Sequence, residues 1–156
     1  MARPNATPLY AAENSTNWTG TATTPLTPTD ARTLVTDMVD WLIATGWDIT
    51  PDPTVAVTDG GTASALIDAP MIASGAIVGA VPASITFGVD ALATRPWVVA
   101  HEVAHLVRPD ESLGVRDSHG PVFATIYLTL VRNFYGDDNA DALAAAFAEY
   151  GVSTVE

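Results

Sequence analysis

The sequence predicts an α+β domain, and three observations carry that prediction. Apolar residues recur at spacings of three and four in residues 29–45 and again beyond residue 94, the period of an amphipathic helix. Between Thr54 and Gly88 the pattern changes to short apolar or alternating runs broken by Gly, Pro and Asp, the mark of short strands joined by turns. With 156 residues, 48% of them hydrophobic, the chain has the size and composition of one domain with a substantial core. The expected order is an N-terminal helix, a small, mainly antiparallel sheet of three or four strands, a helix bearing H-E-x-x-H, and C-terminal helices. Residues 1–28 read as an N-terminal extended arm and residues 29–156 as a single domain.

The arm is rich in Thr, Pro, Asn and Ala, the composition of loose chain. Within it, Leu9-Tyr10-Ala11-Ala12-Glu13 can form a short helical turn that docks on the body, and Trp18 is too large and apolar for free linker. Thr29 or Asp30 can cap the first helix, which runs to about Thr45 with Leu34, Val35, Met38, Trp41 and Leu42 as its apolar stripe. Gly46 supplies the stop. Strands are expected at Val55-Ala56-Val57, Ala65-Leu66-Ile67, Ala76-Ile77-Val78 and Ser84-Ile85-Thr86-Phe87, with a turn at Asp59-Gly60-Gly61. Pro82 marks a strand end or an edge. Thr94 then caps a helix with Arg95-Pro96 in its first turn, and that helix should stop before Pro109. After a polar loop from Asp110 to Ser118, Gly120-Pro121 opens a helix with Val122, Phe123, Ile126, Tyr127, Leu130, Val131 and Phe134 on one face, ending at Gly136. Asn139 can cap a last helix through about Tyr150.

Charge narrows the range of partners. The formal net charge is −12, with no lysine and six arginines, so nucleic acid and anionic lipid surfaces repel the chain. Arg95, Arg108, Arg116 and Arg132 flank the histidine region, where they neutralise nearby aspartates or, on a second reading, receive an anionic group. No apolar run reaches the roughly 18 residues of a membrane span, and the first residues lack the apolar stretch of a signal peptide. The expected location is cytoplasmic. The absence of cysteine excludes disulfides and thiolate metal sites.

Chemistry concentrates in Pro96-Trp97-Val98-Val99-Ala100-His101-Glu102-Val103-Ala104-His105-Leu106-Val107. Two histidines four apart on a helix stand about 40° apart around its axis, so both imidazoles can reach one ion. Glu102 lies roughly 100° from His101 and 60° from His105, at the flank of the pair, where it can address a metal-bound water without being a ligand. Val99, Val103, Leu106 and Val107 fall on the opposite side and anchor the helix in the core.

A catalytic zinc takes three protein ligands and leaves one open position. His119 is the only other histidine, and its distance from His105 lets the chain reverse and return. The long pattern H-E-x-x-H-x-x-G-x-x-H does not fit, since Arg108 stands at its glycine position and Glu111 at its last histidine. Glu111, Asp117 and Glu149 are the carboxylate alternatives to His119.

Val98-Val99-Ala100-His101-Glu102-Val103-Ala104-His105, followed by His119-Gly120-Pro121-Val122-Phe123-Ala124, resembles a family of zinc metallohydrolases of actinobacteria and their phages. More distantly it is similar to SprT-like and minigluzincin-type metallopeptidases, in which a histidine in H-G-x-x-F closes the site. Tyr10-Ala11-Ala12-Glu13 is similar to the family's opening segment. The resemblance is specific over His101 to Phe123 and loose elsewhere. It implies a zincin-like domain with one zinc ion on His101, His105 and His119 and with Glu102 as base. The chain has no cysteine zinc ribbon and no basic tail, so a DNA-linked protease role does not carry over.

The expected activity is that of a zinc metallopeptidase acting on a peptide or protein. Zinc brings the pKa of water toward about 7, and Glu102 takes the water's proton and passes it to the leaving amide nitrogen. Arg116, Tyr127 and Arg132 are candidate oxyanion or substrate contacts by nearness in sequence. An exposed edge strand at Ser84 to Gly88 could hold an extended peptide by strand addition. The competing reading, from another class, is a non-catalytic, metal-stapled module of a larger assembly such as a phage particle, in which the Thr/Pro-rich arm orders against a neighbour. An open fourth coordination position favours the enzyme, and a fourth protein ligand favours the module.

Overall fold

The computed structural model of the chain describes residues 6–108 and 119–155. The predicted class holds: α-helices precede and follow five consecutive strands, which form a three-stranded sheet and a separate two-stranded one. The chain divides into two units, residues 25–108 and residues 1–24 with 109–156.

In the unit of residues 25–108, helices α2 (Pro28–Ala44), α3 (Val89–Thr94) and α4 (Val98–Ala104) accompany strands β1 (Thr54–Thr58), β2 (Ala63–Leu66), β3 (Ala69–Ala73), β4 (Ala76–Val81) and β5 (Ser84–Gly88). The cap of α2 is Thr27, earlier than expected. Its hydroxyl accepts the Asp30 N–H at 3.1 Å while the Asp30 carboxylate accepts the Thr27 N–H at 3.4 Å, so Asp30 acts from inside the first turn. Ala31, Val35, Met38, Val39 and Leu42 form the buried stripe, and Gly46, at φ 97°, ends the run as predicted.

The sheet order is β1-β5-β2, with β1 parallel and β2 antiparallel to β5. This corrects the expectation that Ser84–Gly88 is an exposed edge: it is the central strand. The reason lies in its alternation, since Ile85 and Phe87 are buried while the strand pairs on both sides, and Pro82 stays outside it in the link from β4. Gly88 is required where β5 ends. A Cβ there would collide with the backbone of Gly60 and Thr62, whose carbonyls accept the N–H groups of Asp90 at 2.9 Å and Gly88 at 2.7 Å respectively. Strands β3 and β4 form a separate antiparallel ribbon with a bulge where Met71↔Gly79 gives way to Ile72↔Ile77.

The histidine helix is shorter than its sequence suggests. Thr94 closes α3 instead of capping the next helix, its hydroxyl donating to the Asp90 carbonyl at 2.7 Å. Arg95 then leaves the helical region (φ −139°, ψ 61°), as a residue before proline tends to do, and α4 starts only at Val98. All seven residues of α4 are buried, and the helix packs against α2 and β2.

In the other unit, the turn expected at Leu9–Glu13 is a full helix, α1 (Ala6–Ser15), packed on α6 (Asp137–Tyr150) with Leu9 and Ala12 buried. A short 3-10 turn (Gly20–Thr23) packs on α5 (Pro121–Tyr135), which carries the predicted apolar face and ends at Gly136, φ 92°. Helix α6 starts at Asp137, ahead of the predicted cap. The acidic pair Asp137-Asp138 suits a helix N-terminus. Asn139 is freed to clasp Thr19, accepting its N–H at 2.9 Å and donating to its carbonyl at 3.0 Å. No helix among the described residues is long and apolar enough to cross a membrane.

Candidate metal centre

Helix α4 presents His101, and His105 follows one turn on as its C-cap residue. Their Nε2 atoms are 3.2 Å from each other and the ring planes are inclined at 63°. At that separation one nitrogen can donate to the other, or both can present lone pairs to one cation. Two nitrogens each about 2.0–2.1 Å from a tetrahedral zinc would stand roughly 3.3–3.4 Å apart, so the pair is close to the spacing a shared ion needs. His101 is buried and His105 half-buried. Glu102 is buried beside them, with Oε1 3.9 Å from His101 Nε2. The same helix packs into the core through Val99, Ala100 and Val103.

His119 sits directly before Gly120, the residue that opens α5. Its buried ring meets Tyr10 of α1 and Phe123 of α5 edge-on, at centroid distances of 5.3 and 5.0 Å. The Phe123 contact is local, reaching across the Gly120 cap into the first turn of α5. The Tyr10 contact joins segments far apart in sequence, and no local pattern announces it. His101, His105 and His119 each offer one ring nitrogen and are the histidines that could hold a metal ion.

Among the other candidates, Arg116, Glu111 and Asp117 lie outside the described residues. Glu149 is exposed near the end of α6. Tyr127 is fully buried in an aromatic row with Phe123 and Phe147, at 5.9 and 6.3 Å. Arg132 is exposed and bridges Asp137 and Asp141, each at 3.0 Å, and these carboxylates raise its pKa further, Asp141 foremost.

Arg108, three residues past His105, is clasped more fully. Its backbone N–H donates to the Asp48 carbonyl at 2.8 Å, and its guanidinium reaches Asp48 at 3.1 Å, Thr50 at 2.7 Å and Asp68 at 2.7 Å. Asp68 is held below its ordinary carboxylate range, first by the Arg108 hydrogen bond and then by that of Thr50. Both arginines follow the charge-neutralising reading of the sequence.

No family model, curated protein or solved structure matches the chain.

Proposed function

We propose that this chain is a zinc-dependent hydrolase of the metallopeptidase type, of the actinobacterial and phage family that its motifs resemble. The observation that carries the reading is the pair of histidine nitrogens 3.2 Å apart on one buried helix, with the Glu102 carboxylate 3.9 Å from the first of them. Three imidazoles are the donor set of a catalytic zinc, and His119 is the third in this reading. When bound, the ion supplies Lewis acidity and a more acidic water. Glu102 takes one proton from the attacking water as its oxygen bonds to the amide carbon, and delivers that proton to the nitrogen as the C–N bond breaks. Burial keeps the carboxylate away from bulk solvent that would compete for the proton.

With β5 central, strand addition of an extended peptide falls to β2, the edge strand that packs against α4. Peptide or protein therefore remains the proposed substrate class. The charge of −12 argues against nucleic acid and anionic membrane as partners.

The test pairs elemental analysis with cleavage of a peptide library. Wild type should contain one zinc per chain and cut. Glu102→Gln should keep the zinc and lose about 100-fold or more of the rate. A fully active Glu102→Gln variant would remove Glu102 as the base, and a chain without stoichiometric metal would remove the hydrolase.

A further inference from the structure

Where helix α6 ends, the chain turns back toward the start of α5. Gly151 takes the left-handed conformation (φ 76°), which glycine adopts without strain, and the Val152 N–H donates to the Phe147 carbonyl at 2.8 Å. The Val155 N–H donates to the Thr125 hydroxyl oxygen at 2.9 Å and pins the tail to α5. This return leaves a pocket of about 110 Å³ within the unit of residues 1–24 with 109–156. One wall is the tail, Gly151 to Ser153; the others are Pro8 of α1 and the corner His119-Gly120-Pro121 that opens α5. The walls are stiff, because both prolines have a fixed φ and Gly151 sits in a hydrogen-bonded cap. Apart from His119 no lining residue can ionise, in a chain whose net charge is −12.

We propose that this pocket receives the side chain of a substrate residue flanking the scissile bond, and that it selects small, uncharged aliphatic residues. The inference rests on the metallopeptidase reading, with His119 as a zinc ligand, and adds to it which peptides are cut. Position follows from His119 belonging to both the pocket and the proposed ligand set. The scissile carbonyl must reach the ion that His119 would hold, and extended chain advances only ~3.3–3.6 Å per residue. A side chain seated against the same imidazole therefore belongs to a residue next to the bond that is cut. Size follows from volume. A protein cavity of roughly 150 Å³ takes up one benzene ring, so by proportion 110 Å³ holds about four carbons. That admits alanine, valine and leucine, and it is too little for phenylalanine, tyrosine or tryptophan. Charge follows from the lining: an ionised side chain would give up its water there with no opposite charge to meet.

The test reads binding and cutting separately. The zinc-loaded full chain is titrated by calorimetry with the hydroxamates of N-acetyl alanine, valine, phenylalanine and arginine, in which one group takes the ion and the side chain probes the pocket. The valine compound should bind about 10-fold or more tightly than the phenylalanine and arginine compounds. Ser153 is exposed, so Ser153→Leu narrows the pocket from its rim without touching the core. It should weaken the valine compound about 10-fold and spare the alanine one. Val152→Ala widens the pocket and should bring the phenylalanine compound level with the valine one. A peptide library cut by wild type should show the same order of preference at one position beside the cleaved bond. Hydroxamates that bind alike whatever their side chain, or a preference that neither substitution moves, overturn the pocket and leave the hydrolase standing. Absence of both hydroxamate binding and cleavage overturns the hydrolase, and the pocket's role with it.

Discussion

His119 stands apart from the H-E-x-x-H helix, directly before the glycine that opens α5, with its ring set by Tyr10 and Phe123. Replacing it with alanine deletes the proposed third donor and leaves His101 and His105 in place. Zinc affinity of His119→Ala, measured by competition with a chromophoric chelator, should fall by roughly 100-fold or more. Unchanged affinity would hand the third position to a carboxylate. His101, His105 and Glu102 were legible in the sequence because a helix converts spacing directly into facing. His119 could be named from composition, being the one remaining histidine. The Tyr10 ring against it could not, because two rings meet there through the packing of α1 and not through any period of the chain.

The elements carry a second lesson, in their ends. Thr94 has the chemistry of a cap but sits at the C-terminal end of α3, and Asn139 has it too but spends its amide on the backbone of Thr19. A capping residue competes among several backbone partners, and only the folded chain shows which one it meets. The cap at Thr27 is testable, since Thr27→Ala should lower stability by about 1 kcal/mol in chemical denaturation. The clasp around Arg108 makes an acid-side prediction. The folded-state pKa of Asp68 lies below its ordinary value of 3.8, so its contribution is complete above that value and is lost as pH falls through the depressed one. Asp68→Asn should therefore show a shallower decline of melting temperature than wild type as pH drops below about 4. Parallel curves would mean that Asp68 titrates alike in the folded and unfolded chain.

For the molecule as a whole, an ion bound only by the folded state stabilises it by mass action, about 2.7 kcal/mol at a free concentration 100 times its Kd. Stripping the proposed zinc with a chelator should lower the melting temperature by roughly 5–10 °C. Scanning calorimetry with and without chelator, then with zinc restored, measures it, and a transition indifferent to all three would mean that no ion stabilises the fold. The class of the fold was readable because periods of two and 3.6 residues are local properties of the chain. Strand order was not: Ser84–Gly88 looked like an edge and is the centre of its sheet, because pairing with β1 and β2 depends on residues eighteen or more positions away. By itself the sequence determined most helix and strand segments, though not strand β3 or the break between α3 and α4, together with the net charge and the pairing of His101 with His105, since each depends on neighbours along the chain. Only the tertiary structure decided the order of the strands, the setting of the His119 ring and the walls of the pocket against it, because those follow from which distant surfaces bury one another.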